Sequence, residues 1–274
     1  MTQLQAIILA VVQGITELFP ISSLAHAVLL PALLGWKVDE SADGFLPFLV
    51  VMHLGTALAL IAYFWRDWLN FATAVLIRRG PRAEGERRIF WRVVVATIPA
   101  VIVGAVFEKP LTHLFGAPVL VAGFLIANGV MLFAAERLKG RQDKALARLR
   151  WLDAVVIGLW QCLALIPGFS RSGATMAGGY LAGLDHEDAA RFSFLTATPI
   201  ILAATVKEAP RLLKMHDAFS GTAVLAGAVA GVVAFISVAL LMRWFRQPEV
   251  RGFDPFAIYC ALAGAGSLAW LLLR

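Results

Sequence analysis

Charged side chains are scarce in this sequence: Asp, Glu, Lys and Arg together make up 15% of its 274 residues. A soluble globular domain carries nearer a quarter, about 25%. Hydrophobic residues make up 60% of the chain, and the mean hydropathy is +0.78. The scarcity of charge excludes an ordinary soluble domain and predicts an integral membrane protein.

Cysteine is scarce as well, and its two copies, Cys162 and Cys260, lie far apart in apolar runs. They exclude a disulfide framework and a cysteine metal site. The residues before the first apolar segment, Met1 to Gln3, lack the basic side chains of a secretory signal, so we expect no cleavable signal peptide. The net charge of +6 comes from basic segments between apolar runs, a distribution that indicates membrane topology and no nucleic-acid partner.

Two long apolar segments each contain a single charged residue. The charge in 4–36 is Glu17, and the charge in 154–184 is Arg171. Each segment is interrupted near its middle, at Pro20 and at Pro167-Gly168, and proline breaks a helix because it lacks an N–H and clashes with the preceding turn. An ionisable residue at membrane depth indicates a functional site, and these two residues are each other's expected partners.

Six other apolar runs predict transmembrane helices, at about 45–65, 93–107, 118–135, 192–206, 218–242 and 255–273. The two broken segments are too long for one span, and each half of about 15 residues is too short to cross at roughly 1.5 Å per residue. Irregular backbone at membrane depth is tolerated where protein or a watery cavity surrounds it. The sequence therefore predicts an all-α polytopic membrane protein with six transmembrane helices and two re-entrant helical hairpins.

The basic residues predict the orientation of these elements. Segments 66–92 and 137–150 are rich in Lys and Arg, so we expect both as cytoplasmic loops. Both termini and the acidic turn at Asp39-Glu40 then lie outside. The first hairpin enters the membrane from outside, and the second enters from the cytoplasm.

A hairpin followed by three spans therefore occurs twice, in residues 1–135 and 154–274, with opposite orientations. This pattern predicts one membrane domain built as an inverted repeat, with its site near the midplane where the broken helices meet. Gln13 and Gln161, which precede the two prolines at similar distances, are a weak sequence echo of that repeat.

Hydroxyl side chains and one histidine follow the two breaks. Ser22 and Ser23 can cap the half-helix after Pro20, and His26 follows about one turn later. Ser170 and Ser172 flank Arg171, and Thr175 follows one turn on. Two helix N-termini with an arginine fork between them favour binding of phosphate.

This set of side chains could carry out phosphoryl transfer, with serine as nucleophile, histidine as general acid or base, and arginine stabilising the transition state. Gln13 and Glu17, at i and i+4, share one helix face beside it. Simpler interpretations remain open. The serines could be plain caps, Glu17 and Arg171 a structural ion pair, and His53 a packed or pore-facing residue. A lipid transporter or flippase is the rival function, because transporters also use broken helices in inverted repeats.

At these residues the chain resembles the undecaprenyl pyrophosphate phosphatases of the BacA type. The family's Glu/Gln-x-x-x-Glu motif corresponds to Gln13 and Glu17, and its Pro-x-Ser-Ser-x-x-His segment corresponds to Pro20 to His26. Its Pro-Gly-x-Ser-Arg-Ser-x-x-Thr motif matches Pro167 to Thr175 without a gap. The chain departs from the family's commoner Ser-Ser-Thr-Gly-His pattern, because Leu24 and Ala25 replace Thr and Gly.

The resemblance implies an inner-membrane enzyme that converts the polyprenyl diphosphate carrier to its monophosphate, with a site reached from the outer face. It implies a divalent cation, Mg²⁺ or Ca²⁺, which Glu17 and Gln13 would help to hold. In this interpretation those two residues orient His26 or the cation, and Ser23, or alternatively Ser22, attacks the terminal phosphorus. Water held by His26 or the cation is the other candidate nucleophile. The diphosphate clamp then consists of Gly168, Ser170, Arg171, Ser172 and Thr175, with Gln13 and Ser22 beside it.

The same resemblance places the prenyl tail in a lateral groove between helices and makes membrane lipids the surroundings of the site. The oligomeric state stays open, with a homodimer among the alternatives.

Overall fold

The structure is a computed structural model, and it describes residues 2–36, 45–107, 117–138, 142, 144–214, 221–247 and 251–273. Of 45–47 and 211–214 it describes the backbone alone. The predicted acidic turn at Asp39-Glu40 lies outside the described residues.

The described residues are mostly α-helical. The helices are α1 (Gln3–Thr16), α2 (Ser23–Leu34), α3 (Phe45–Tyr63), α4 (Trp65–Leu76), α5 (Pro81–Val106), α6 (Pro118–Arg137), α7 (Trp151–Gln161), α8 (Arg171–Leu181), α9 (His186–Lys214), α10 (Gly221–Phe245) and α11 (Asp254–Leu273). Two 3₁₀ turns, Leu146–Arg148 and Cys162–Leu165, precede and follow α7. The all-α prediction is thereby confirmed.

Among the described residues, five helices are long and apolar enough to cross a membrane: α5, α6, α9, α10 and α11. A sixth span is formed if α3 and α4 are counted together, and these two helices are bent by 73° at their junction. Each of the six predicted spans falls on one of these helices. The structure therefore agrees with five to six spans.

The predicted loop 66–92 is largely helical. Helix α4 ends at Leu76 and α5 begins at Pro81, so the connection is only four residues long, 77–80. Proline at the first position of α5 favours this start, because its missing N–H is not needed there. The arginines of this segment do not distinguish helix from loop, since a solvated basic helix and a basic loop have the same composition.

Charged residues gather at one end of the helix bundle, which we call the basic end. Three ion pairs join its elements there: Arg191 with Asp67, Arg246 with Glu187, and Lys144 with Asp153. These pairs bring together α4, the starts of α7 and α9, and the residues after α10.

Candidate active site

Both predicted breaks are present, and each leads into a short helix whose N-terminus is capped by serine. After α1, residues 17–22 are non-helical, and the side chain of Ser22 accepts a hydrogen bond from the amide of Ala25 at 3.3 Å. Ser22 has a φ of 67°, a left-handed conformation that is costly for a residue other than glycine. After the second break, the side chain of Ser170 accepts from the amide of Gly173 at 3.1 Å. The sequence-based capping prediction is confirmed at both breaks.

The two breaks contact each other. Ser172 donates its hydroxyl proton to the carbonyl oxygen of Phe19 at 3.0 Å, and its Oγ lies 3.0 Å from Ser170 Oγ. Asn128 of α6 bonds to both breaks, with its amide nitrogen 3.0 Å from Pro20 O and its amide oxygen 2.9 Å from Ser170 N. The N-termini of α2 and α8 are therefore brought together from two distant parts of the chain.

Glu17 lies where the two breaks meet, and it contacts four other side chains there. Its Oε2 accepts from Ser23 Oγ at 2.6 Å and from Gln13 Nε2 at 3.1 Å, and it lies 3.3 Å from His53 Nε2. Its Oε1 accepts from Arg171 Nη2 at 2.9 Å. The carboxylate is buried, and a buried charge is tolerated when it is paired and hydrogen-bonded in this way. The predicted partnership of Glu17 with Arg171 is confirmed.

Arg171 is held in place by a second contact. Its Nη1 donates to the carbonyl oxygen of Ser193 on α9 at 3.1 Å. The guanidinium has five N–H donors, and these two bonds use two of them, so others can face an anion. Because Arg171 is also the first residue of α8, its charge adds to the positive end of that helix.

A cavity of about 340 Å³ opens beside these groups. One side of it is polar and the rest is apolar, as in sites that bind a small polar group attached to a hydrocarbon. Its polar lining comes from Glu17, Ser22, Ser23, His53, Gln161, Ser170, Arg171 and Thr205. Its apolar lining includes Leu24, Leu49, Val50, Ala100, Ala164, Leu165, Phe169, Ile200, Ile201 and Ala204.

Not every residue predicted for the site lines this cavity. Gln13 reaches it only through Glu17, and Ser172 joins the two breaks. Thr175 donates to the carbonyl oxygen of Arg171 at 2.8 Å, one turn back on its own helix. Gly168 faces α6, where a Cβ would lie 2.4 Å from Phe124 Cβ, and its φ of 117° also favours glycine.

His26 does not line this cavity either. Its Nδ1 is 2.7 Å from Ser22 O, its Nε2 is 2.7 Å from Tyr259 OH on α11, and its ring stacks on that tyrosine. Glu17, and not His26, is therefore within hydrogen-bonding distance of the Ser23 hydroxyl. Ser23 and His26 are three residues apart on α2, but the spacing alone did not bring the two side chains together.

The surroundings of Glu17 do not suit a resident divalent cation. Mg²⁺ and Ca²⁺ need several oxygen ligands. Among the described residues no group of three or more His, Cys, Asp or Glu side chains is placed to hold a metal. Both oxygens of Glu17 already accept hydrogen bonds, one of them from a guanidinium cation. The structure therefore gives no support to Gln13 and Glu17 as ligands of a cation bound before substrate.

Three polar residues of the site were missed or undervalued in the sequence. The sequence predicts a packed or pore-facing His53, although an imidazole inside an apolar run is a signal of the same kind as Glu17. Asn128 gives the weaker signal of one amide in the middle of an apolar helix. Gln161 stands out in the sequence only as an echo of Gln13, yet it lines the cavity and accepts from Thr175 Oγ1 at 3.5 Å.

Comparison with known proteins gives matches over nearly the whole chain. The family model of bacitracin resistance protein BacA matches residues 6–266. An undecaprenyl-diphosphatase of Gluconobacter oxydans is 54% identical over 282 aligned residues, which cover 100% of both chains. Undecaprenyl-diphosphatases of Acidiphilium cryptum and Granulibacter bethesdensis are 51% and 50% identical, over 98% and 99% of this chain and 98% and 97% of theirs.

Proposed function

This chain belongs to the BacA family, and on that premise we propose that it is a membrane phosphatase that hydrolyses undecaprenyl diphosphate to undecaprenyl phosphate and inorganic phosphate. One observation carries the proposal beyond the family name. A serine hydroxyl, a carboxylate and a guanidinium meet in one cavity, at the N-termini of two helices. The rival function of a lipid transporter has no support from the comparisons.

In this mechanism Ser23 attacks the terminal phosphorus. Its hydroxyl proton passes to Glu17 Oε2, 2.6 Å away, as the bond from Oγ to phosphorus forms. The bond from phosphorus to the bridging oxygen breaks, and its electron pair leaves with undecaprenyl phosphate. Water then displaces phosphate from the serine, and Glu17 returns the proton to Oγ.

A carboxylate paired with arginine is a weak base, but phosphoryl transfer does not require a strong base. Its transition state is loose in most accounts, so catalysis comes mainly from positioning and from stabilising charge on the phosphoryl oxygens. Arg171 and the amide groups at the starts of α2 and α8 supply that stabilisation. The contact between Ser23 and Glu17 favours serine over water as the nucleophile.

The apolar part of the cavity suits the first isoprene units of the substrate. The undecaprenyl tail is far too large for about 340 Å³, so most of it has to extend into the membrane. Ala204 of α9 lines the cavity and is also exposed on the outside of the bundle. We therefore place the exit of the tail beside Ala204, between α9 and the segment that contains Leu165.

Helix packing supports the inverted-repeat architecture that the sequence predicted. Under an exchange of the halves 1–135 and 154–274, α1 corresponds to α7 and α10 corresponds to α5. Helix α1 packs on α10 and α7 packs on α5, as this exchange requires. The contacts are alike: a Cβ at Gly14 would meet Ala230 O at 2.7 Å, and a Cβ at Gly158 would meet Ala96 O at 2.5 Å. In this architecture α1–α2 and α7–α8 are the two re-entrant hairpins.

The location of the cavity supports an active site deep in the membrane, away from the cytoplasmic face. Arg191 lies at the basic end, and Ile201 of the cavity is ten residues further along α9, roughly 15 Å at 1.5 Å per residue. The positive-inside rule assigns the basic end to the cytoplasm. The protein is then an inner-membrane enzyme that receives its substrate from the outer leaflet.

The experiment that tests the proposed function is release of inorganic phosphate from undecaprenyl diphosphate by the purified protein in detergent. We expect turnover that depends on Arg171 and Glu17. A purified wild-type protein that binds the lipid and releases no phosphate would contradict the proposal and favour transport.

A further inference from the structure

Asn128 is a fully buried amide in the middle of α6, an apolar transmembrane helix. Asparagine is a poor helix former, and burying an amide without hydrogen bonds is destabilising. Its hydrogen bonds therefore decide whether it can be tolerated at this position.

The partners of Asn128 are backbone groups of the two breaks. Its Nδ2 donates to Pro20 O at 3.0 Å, and its Oδ1 accepts from Ser170 N at 2.9 Å. These residues are 108 and 42 positions away in the sequence. Both backbone groups lie outside regular helix, where buried N–H and C=O groups need other partners.

Asparagine matches this pair of groups because it carries a donor and an acceptor on one rigid plane. Reversing the amide would turn its oxygen towards a carbonyl and its NH₂ towards an N–H, so the two partners determine the orientation. A third contact, from Nδ2 to Cys260 Sγ at 3.3 Å, lies on the side of α11.

The two bonds connect backbone that carries the reacting groups. Pro20 lies between Glu17 and Ser23 in the sequence, and Ser170 immediately precedes Arg171. One amide thereby sets the position of the nucleophile and its base relative to the guanidinium. Within the described part of the chain, one side-chain hydrogen bond runs directly from residues 166–175 to the backbone of residues 17–22. It is the bond from Ser172 Oγ to Phe19 O.

We propose that Asn128 is a positioning residue that aligns the two halves of the active site. The proposal rests on the phosphatase function proposed above. Asn128 touches neither the cavity nor the reacting atoms, and it acts through the backbone at Pro20 and Ser170. Because the transition state needs Ser23 and Arg171 on the same phosphoryl group, loss of this alignment lowers kcat more than it raises KM.

The first test is Asn128→Leu, which keeps the size of the side chain and removes both bonds. We expect kcat to fall by about 100-fold, the scale of a misplacement of about 1 Å, with a much smaller change in KM. The matched control is Cys260→Ala, which removes the contact with Asn128 and a longer one from Cys260 Sγ to Pro20 O at 3.9 Å. It leaves both bonds from Asn128 to the breaks in place and should keep kcat near that of wild type. An Asn128→Leu protein with wild-type kcat would overturn the proposal.

Asn128→Asp tests the donor separately and covers the case in which Asn128→Leu does not fold. A protonated carboxyl group has one donor and one acceptor, like the amide, whereas an ionised one has acceptors only and would repel Pro20 O. The titratable group that faces it is the Cys260 thiol of α11. We expect the ratio of Asn128→Asp to wild-type kcat to rise as pH falls.

A ratio that stays low at every pH at which the protein is folded would overturn the proposed role of Asn128. It would leave the proposed function intact, since wild-type phosphate release is measured in the same experiment.

Discussion

Ser23 Oγ lies 2.6 Å from Glu17 Oε2, although the two side chains stand on opposite sides of a helix break. Glu17 follows the last turn of α1, and Ser23 is the first residue of α2. The break at residues 17–22 folds the second helix back, so a separation of six residues becomes a hydrogen bond. Arg171 reaches the other oxygen of the same carboxylate from the second break. Nucleophile, base and anion-binding group are thus assembled around one side chain.

The arginine fork at position 171 is the first point to test. Arg171→Lys keeps the positive charge and loses the fork that bonds Glu17 and Ser193 at once. We expect turnover to fall by at least about 100-fold, the scale for one donor to the transition state. Arg191→Lys, at the basic end, is the matched control and should retain activity. Near-normal turnover of folded Arg171→Lys would refute the clamp.

His53 should matter through the hydrogen bond that it offers to Glu17. Its Nδ1 lies 2.7 Å from Leu49 O and its Nε2 lies 3.3 Å from Glu17 Oε2, and both oxygens can only accept. The imidazolium form, with a proton on each ring nitrogen, makes both hydrogen bonds. Loss of a group that holds a catalytic side chain typically costs about 10- to 100-fold in activity. We expect a loss of that size in kcat for His53→Leu and a smaller one for His53→Gln, whose amide can still donate. Equal kcat values for the two variants would argue against this role.

The exit of the lipid tail can be tested on α9. Ala204→Trp would fill the apolar wall, and overpacking of this kind costs about 1–3 kcal/mol, so kcat/KM for undecaprenyl diphosphate should fall by about tenfold or more. A five-carbon prenyl diphosphate, whose single isoprene unit ends before the proposed exit at Ala204, should be hydrolysed as by wild type. Leu202→Trp, exposed on the same helix but outside the cavity lining, is the control. Equal losses for both substrates would place the exit elsewhere.

Orientation in the membrane can be measured by labelling single cysteines. Gly85 and Gly221 are suitable positions, because a Cβ would meet no atom within 4 Å at either one. On a background with Cys162 and Cys260 replaced by alanine, a membrane-impermeant thiol reagent added outside should modify Gly221→Cys and not Gly85→Cys. The opposite pattern would reverse the proposed orientation.

The sequence predicted much of the fold because each decisive feature was local. Apolar length located the spans, and the two prolines located the breaks. The pairing of Glu17 with Arg171 also followed from the sequence, since two lone charges in apolar surroundings need each other. The extent of helix between 66 and 92 did not follow, because composition cannot distinguish a basic helix from a basic loop.

The inner arrangement of the site was harder to predict because it depends on contacts between distant elements. His26 has a motif position next to the serines, but its ring nitrogens bond to Ser22 O and to Tyr259 of α11 and not to the Ser23 hydroxyl. His53 has no motif, yet the packing of α3 brings it to Glu17. Asn128 shows the same limit, because neither of its backbone partners can be identified from residues near it in the sequence.

Attack of Ser23 on phosphorus is tested most directly by looking for phosphate on this serine. The purified protein is quenched with acid during turnover of undecaprenyl diphosphate, and its peptides are analysed by mass spectrometry. We predict phosphoserine at position 23, and we predict that Ser23→Ala binds the lipid but releases no phosphate. A Ser23→Ala protein that hydrolyses the lipid at a substantial rate would contradict attack by Ser23 and make water the nucleophile.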